Sequence, residues 1–147
     1  MARDLKRELK VAYCAGIIDG EGCISMRTRG NSIDYSVQVQ MADIDPILVL
    51  QELYGGTVKQ YKSKTKNSLP FFRWGLWANK AIYVLIDMLP YLTIKRRKAE
   101  LAIKLINLGR FNRLTLTTDI KNQRAAIVLE YKSLTRQRYN NRWKEAD

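Results

Sequence analysis

The stretch that decides the fold is CAGIIDGEG at residues 14–22. Apolar side chains recur at helical spacing from Leu5 up to this stretch, which predicts a helix over residues 5–19. The run Gly20-Glu21-Gly22 is expected to end that helix, since glycine readily takes the backbone angles of a helix exit. Two acidic residues, Asp19 and Glu21, are therefore expected at the helix C-terminus.

Small residues and acidic residues give this helix two further features. Ala12, Gly16 and Gly20 recur every four positions with Ala15 alongside, and they leave a smooth face that another backbone can approach closely. Acidic groups oppose the dipole at a helix C-terminus, which indicates a bound cation. Glu21 lies between two glycines, so that backbone carbonyls can point at the same cation. Taken alone, however, a Gly-Glu-Gly sequence is more often simply a turn.

The sequence after this stretch alternates between strand-like and helical patterns. Polar Ser36, Gln38 and Gln40 alternate with Val37 and Val39, which is typical of a strand with one apolar and one polar face. Strands are predicted at 23–29, 35–42, 57–63 and 71–77, and helices at 45–54, 79–89, 95–108 and 119–138. This αββαββα order with C-terminal helices predicts an α+β fold with a four-stranded, largely antiparallel sheet. One domain is expected over residues 1–147, with its core at about 5–108 and C-terminal helices at about 109–140.

Positive charge dominates the middle of the chain. The 147 residues carry 26 Lys and Arg against 14 Asp and Glu, a formal net charge of +12. Residues 53–118 hold 13 of the basic and only 2 of the acidic side chains. Such one-sided charge is costly unless a polyanion meets it. Because the basic residues alternate with aromatic ones in predicted strands, nucleic acid is favoured over a basic protein whose lysines serve only solubility.

The sequence contains no histidine, which excludes Ser-His-Asp and Cys-His catalysis and His-ligated zinc. An enzyme built on this chain would have to use carboxylates, lysines and a hard metal ion. The two cysteines, Cys14 and Cys23, predict no disulfide framework and favour a reducing, intracellular setting. No apolar run approaches the length of a membrane span and no signal peptide is evident, so no membrane partner is expected.

Taken together, CAGIIDGEG resembles the LAGLIDADG motif of the homing endonucleases. The flanks agree, since Tyr13 precedes the motif and an alternating strand follows it. The resemblance extends to DIDP at 43–46, LYGGTV at 53–58 and LPYLTIK at 89–95, and so covers residues 8–108. The sequence holds one copy of the motif, and its length fits the single-motif class of the family.

The resemblance implies a homodimer in which the two motif helices pack against each other on a two-fold axis. Ala12, Ala15 and Gly16 would form the intersubunit face, and Asp19 would cap and connect the paired helices rather than bind metal. The alternative is that these small residues pack inside one subunit.

The resemblance also assigns roles around the end of the motif helix. Glu21 falls on the metal-ligand position and, with the Gly20 carbonyl, would bind Mg²⁺ facing the scissile phosphate; Mn²⁺ or Ca²⁺ could substitute in binding. Lys95 falls on the basic active-site position, where it would polarise water or stabilise phosphate charge. A solvated lysine at a helix start is the alternative. Asp43 stands at a catalytic position that is often Gln or Asn in the family; water placement, metal binding and helix capping remain open for it.

The outward face of the sheet is expected to read DNA in the major groove, because Arg and Gln side chains bond the edges of guanine and adenine. The residues assigned to this face are Ser25, Arg27, Arg29, Ser36, Gln38, Gln40, Lys59, Tyr61 and Arg73. A slip of one residue in strand register would exchange the two faces.

The function implied is intron homing by site-specific DNA cleavage. A homodimer would bind a long, pseudo-palindromic double-stranded site and hydrolyse both strands with Mg²⁺, leaving four-nucleotide 3′ overhangs by resemblance. The expected location is the cytoplasm or nucleoid of a prokaryote, or an organelle. An RNA maturase and a non-catalytic DNA-binding regulator on the same scaffold are the alternatives. The presence of both Glu21 and Lys95 favours the nuclease.

Overall fold

The computed structural model describes residues 5–30, 32–108 and 117–141, with side chains from residue 6 to residue 134 within those ranges. Its elements follow the predicted order and end with a long C-terminal helix. They are α1 (Leu5–Glu21), β1 (Gly22–Arg29), β2 (Ser32–Met41), α2 (Asp45–Tyr54), β3 (Thr57–Tyr61), β4 (Phe71–Trp77), α3 (Ala78–Met88), a 3₁₀ turn (Leu89–Tyr91), α4 (Arg96–Asn107) and α5 (Thr118–Asn141).

The four strands form one antiparallel sheet in the order β1-β2-β4-β3. One face carries the buried residues Ile24, Val37, Val39, Trp74 and Leu76, and α1, α2 and α3 pack against it. Since successive strand residues point to opposite faces, the intervening polar residues are left on the other side. The predicted α+β class with a four-stranded antiparallel sheet is confirmed.

Helix α1 extends through Glu21, two residues beyond the predicted end. The run Gly20-Glu21-Gly22 does end the helix as predicted, but without a separate turn, because the chain passes directly from helix into strand at Gly22. A Cβ at this position would lie 2.7 Å from the carbonyl oxygen of Ile18, closer than atoms of a side chain and backbone can approach. Only glycine permits so abrupt a change of direction. Gly20 and Glu21 thus lie in the last turn of the helix.

Two other boundaries differ from the prediction for clear physical reasons. Strand β2 begins at Ser32 rather than at residue 35, because Ser32 pairs with Arg29 across a two-residue connection. Asn31, within the predicted turn, lies outside the described residues. Helix α3 ends at Met88 rather than at residue 89, because Leu89, Pro90 and Tyr91 form a 3₁₀ turn, in which the missing N–H of proline is tolerated.

Helix α5 runs beside β1, at the end of the sheet. Its Arg124 side chain donates to the backbone carbonyl of Ser32 at 3.1 Å, and the Tyr131 hydroxyl donates to the carbonyl of Ile24. The Ile24 carbonyl on the edge strand β1 is thereby bonded, and the helix covers this part of the sheet edge, which hinders unwanted strand pairing there. Residues 109–116, the start of the predicted C-terminal helical region, lie outside the described residues. Within the described ranges, none of the helices has the length and apolar character required to cross a membrane.

Candidate nucleic-acid interface

The polar face of the sheet brings together the residues that the sequence pattern assigned to it. Ser25 pairs with Ser36, and Gln40 and Lys59 both pair with Arg73. Directly paired residues of antiparallel strands project from the same face. By the same register and alternation, Arg27, Arg29, Gln38 and Tyr61 share that face. The predicted face is therefore confirmed for all nine residues, whereas their contact with DNA is a separate proposal.

These nine residues differ in what they offer to a ligand. Arg27 and Arg29 are exposed, although Arg29 forms an ion pair with Asp34 at 3.1 Å. Ser36 is buried, and its hydroxyl accepts a 3.3 Å hydrogen bond from the Gln38 amide. Ser36 thus supports Gln38 more readily than it reaches a ligand.

Trp77 is a feature of this face that the sequence reasoning missed. It pairs with Ser36, and 55% of its surface is exposed. Its ring crosses Gly75, where an added Cβ would lie 3.0 Å from the ring and 3.1 Å from Cγ of Gln38. Strand residues alternate between faces, and Trp77 follows Phe71, Arg73 and Gly75 at every second position of β4. This alternation could have assigned Trp77 to the polar face.

The exposed carboxylate of Glu21 stands at one end of this face. Glu21 directly precedes Gly22, which pairs with Val39, the neighbour of Gln40 on the next strand. Glu21 is exposed, and among the described residues no hydrogen bond or ion pair holds its carboxylate. A negative charge at a helix C-terminus is unfavourable, and none of the described residues bonds this carboxylate directly.

Asp19, in contrast, is buried and fully bonded within the chain. Its carboxylate accepts hydrogen bonds from the backbone N–H groups of Thr93 at 2.7 Å and Lys95 at 2.9 Å, just before α4. The expectation that Asp19 contributes to an intersubunit face is therefore corrected. It joins the end of α1 to the start of α4 in the same chain.

Lys95 is also buried, with 6% of its surface exposed, so the alternative of a solvated lysine is wrong. Its ammonium group donates to the backbone carbonyl of Asp19 at 2.6 Å. This places a positive charge at the C-terminus of α1, where the helix dipole favours it. The carbonyl that the ammonium group bonds belongs to Asp19, two residues before Glu21 in the chain.

Asp43 is exposed in the connection between β2 and α2. The capping position of α2 is occupied by Ile44, and Asp45 is the first residue of the helix. Within the described part of the chain, no side chain caps this helix. The helix-capping role considered for Asp43 is therefore wrong.

A metal site confined to one chain is not present among the described residues, since no three Cys, Asp or Glu side chains are grouped there. The oxygen donors at the end of α1 are the Glu21 carboxylate and the backbone carbonyls of the last turn other than that of Asp19, which already accepts from Lys95; carbonyls of a last turn have no partner within the helix. Carboxylate and carbonyl oxygens suit hard cations such as Mg²⁺ and Ca²⁺. The donor set therefore fits such a cation but supplies only part of its coordination shell.

The outward side of α1 carries an apolar stripe. Leu9 and Tyr13 are 63% and 51% exposed, and Gly16 and Gly20 continue the same helix face. Ala12 borders this stripe and is half-buried, whereas Ala15 is fully buried in the core. The prediction that Ala15 faces a second subunit is wrong, because it packs inside the chain. Leu9 and Tyr13 are the exposed residues of this stripe that the sequence reasoning did not assign to it.

The fold is that of the LAGLIDADG homing endonucleases. It is similar to the crystal structure of the homing endonuclease I-CvuI in complex with its target in the presence of Ca, with a TM-score of 0.66 and 22% identity over 89% of this chain and 85% of that chain. It is also similar to the archaeal intron-encoded homing endonuclease I-Vdi141I complexed with DNA, with a TM-score of 0.62 and 16% identity over 86% and 84% of the two chains.

A third similar structure is the LAGLIDADG meganuclease I-CpaMI bound to uncleaved DNA, with a TM-score of 0.57 and 18% identity. The match covers 80% of this chain but 42% of the meganuclease, so the chain spans less than half of that protein. No protein-family model and no curated protein matches the sequence. The similarity therefore establishes the fold class.

Proposed function

We propose that this chain is a site-specific DNA endonuclease that acts as a homodimer in intron homing. The observation that carries the proposal is the position of the exposed Glu21 carboxylate at the end of a polar sheet face that bears arginine and glutamine side chains. This arrangement would place a cation-binding carboxylate beside bound DNA. The excess of 13 basic over 2 acidic residues in 53–118 supports a polyanionic partner.

In this proposal, the sheet lies in the major groove of a long, pseudo-palindromic double-stranded site. Exposed Arg27 and Arg29 on β1 and Gln38 on β2 are suited to base edges. Lys59 on β3 is suited to a base or a phosphate. A β-ribbon fits the width of the major groove, and the hairpin of β1 and β2 has that form.

Cleavage is assigned to the end of α1. Glu21 and the Gly20 carbonyl would hold Mg²⁺, with phosphate oxygens completing the shell, and Ca²⁺ or Mn²⁺ could replace it in binding. When bound, the cation would activate water and stabilise the leaving oxygen. Lys95 would hold positive charge next to this end of the helix, and Asp43 would orient water or contribute a further oxygen.

The homodimer is proposed to form through the outward stripe of α1. Leu9, Ala12, Tyr13 and Gly16 would meet the same residues of a second copy, as a two-fold interface requires. This packing would bring the two Glu21 residues together at the centre, one for each strand. Both strands would then be cut, with four-nucleotide 3′ overhangs by family resemblance.

The proposal is tested by incubating the full chain and Mg²⁺ with a plasmid library of randomised sites and sequencing the ends of linear products. Linear product that depends on Mg²⁺ and is lost with Glu21→Gln would support the proposal. An Arg27→Ala protein serves as the matched control, since it should retain metal-dependent cleavage with altered site choice. DNA binding without linear product from the wild-type chain would favour a non-catalytic regulator.

A further inference from the structure

The guanidinium group of Arg73 is held from two sides on the polar face of the sheet. Its Nη2 donates a 2.9 Å hydrogen bond to Oε1 of Gln40 on β2. Its central carbon lies 4.8 Å from the centre of the Tyr61 ring on β3. The Tyr61 ring in turn stacks on Phe71 at 5.2 Å with an angle of 10° between the planes. Arg73 lies on β4, between Gln40 on β2 and Tyr61 on β3. These two side chains hold its guanidinium group in one position before any ligand binds.

This arrangement gives Gln40 and Arg73 different capacities for binding a base. Recognition of adenine by glutamine uses both the amide oxygen and the amide nitrogen. The Gln40 oxygen already accepts from Arg73, so Gln40 would have to share that oxygen and keep its amide turned toward Arg73 if it also bound adenine. Arg73 retains further N–H donors in a planar fork, which is the geometry that binds O6 and N7 of guanine.

We propose that Arg73 reads a guanine in each half-site and that Gln40 and Tyr61 are positioning residues for it. This inference rests on the proposed DNA-binding function of the sheet. If each side chain read its own base, the three residues would control different base pairs. The inference instead requires Arg73, Gln40 and Tyr61 to control the same base pair.

The register of the sheet also places this guanine within the half-site. Gly22, the residue after Glu21, pairs with Val39 beside Gln40, and Arg73 is directly paired with Gln40. The two inter-strand steps from β1 to β4 correspond to about 10 Å. Arg29 lies at the opposite end of β1, seven residues from Gly22, or about 24 Å along the strand. The guanine is therefore expected in the inner part of the half-site, toward the position of cleavage.

The experiment selects DNA from a pool of randomised half-sites with the full-length protein and compares base preferences between variants. Arg73→Lys keeps the charge but loses the fork, and Gln40→Ala removes the support. Both should reduce the guanine preference at one shared inner position by about ten-fold or more, since a bidentate pair contributes about 1–3 kcal/mol of discrimination. Arg27→Ala, the control on β1, should alter a different position.

Two conservative variants separate positioning from direct reading. Gln40→Glu keeps an oxygen acceptor for Arg73 and should preserve the guanine preference, even if overall affinity falls from the added negative charge. Tyr61→Phe keeps the ring and should also preserve it, whereas Tyr61→Leu should weaken it in the same direction as Gln40→Ala.

Separate results would overturn the inference. If Gln40→Ala and Arg73→Lys change different positions, or if Gln40→Glu exchanges an adenine preference for another base, the two residues read bases independently and the inference is wrong. A wild-type protein that enriches no DNA sequence would overturn the proposed function as well. An enriched site without an inner guanine would overturn the inference alone.

Discussion

The side chain and the backbone of Lys95 both bond to Asp19. The ammonium group donates to the Asp19 carbonyl at 2.6 Å, and the Asp19 carboxylate accepts from the Lys95 backbone N–H at 2.9 Å. The two residues are 76 positions apart in the chain. They therefore connect the C-terminus of α1 to the N-terminus of α4, directly beside the segment that carries Glu21.

We expect Lys95→Met to destabilise the fold by about 1.5–3 kcal/mol, the usual contribution of a hydrogen bond from a charged group. The substitution keeps the apolar stem but leaves the Asp19 carbonyl without its donor. Urea denaturation measures the difference. Lys104→Met on the exposed side of the same helix is the control and should lie within about 0.5 kcal/mol of wild type. Equal stability of the two variants would contradict this prediction.

Glu21→Gln should abolish cleavage while leaving the fold intact. Glutamine has nearly the same shape but lacks the charge needed to hold a cation, and each lost electrostatic stabiliser costs about 10²–10³ in rate. DNA affinity in EDTA should be equal or higher, because the proposed dimer would lose two negative charges near the phosphates of the bound DNA. Cleavage assays and binding titrations on the same DNA separate the two effects. Cleavage at the wild-type rate would remove Glu21 from the proposed mechanism.

Gly16→Leu should weaken the proposed dimer without unfolding the chain. Outside the backbone of its own helix, no described atom lies within 4 Å of a Cβ placed at Gly16, so the larger side chain fits in the single subunit. In the proposed dimer it would meet the second copy of α1 and hold the helices apart. Sedimentation should shift from the dimer toward the 17.1 kDa monomer. Ala126→Leu, at an exposed position of α5, should leave the dimer unchanged.

A wild-type chain that sediments as a monomer at micromolar concentration would contradict the dimer itself. A Gly16→Leu protein that remains dimeric would show that the interface lies elsewhere.

The polar face could be predicted from the sequence because strand residues alternate strictly, so one correct register places Arg27, Gln40 and Arg73 together. The bond between Gln40 and Arg73 could not, since it depends on which strands become neighbours. β4 lies between β2 and β3 although it follows both in the chain.

The exposed face of α1 was harder to predict, because the size of a residue alone does not show where the hydrophobic core ends. Ala12 and Ala15 are three positions apart, which separates them by about 60° around the helix. That angle is enough to bury one fully and leave the other at the border of the exposed stripe. The burial of Lys95 accompanies the hydrogen bonds that join the segment before α4 to Asp19 at the end of α1, a long-range contact that no local pattern near Lys95 indicates.

Asp87 should make the stability of the protein fall at acidic pH. Burial alone would raise the pKa of Asp87, but hydrogen bonds from Arg7 at 2.8 Å and Tyr54 at 2.7 Å outweigh it and hold the pKa below its usual value of 3.8. The folded state then binds fewer protons than the unfolded state. The resulting stabilisation is present above the usual pKa and is lost as the pH falls through the lowered one.

Thermal unfolding at neutral pH and below pH 3.8 tests this dependence. Asp87→Asn removes the titrating group, and Arg7→Gln removes a hydrogen-bond partner and its charge. Between neutral pH and a pH below 3.8, the unfolding temperature of both variants should fall by less than that of the wild type. Equal losses in all three proteins would show that Asp87 does not contribute.

Cys23 offers a direct test of which surface meets DNA. It pairs with Gln38 on the polar face and is exposed, whereas Cys14 is buried and its burial raises the thiol pKa to about 12. Because the thiolate is the reactive form, iodoacetamide should modify one cysteine in the folded chain and both after unfolding. Bound target DNA should slow modification of Cys23, and high salt should restore the rate as DNA dissociates. A Cys23→Ser protein should show no modification while folded. Modification of Cys23 at the same rate with and without saturating DNA would contradict contact at this face.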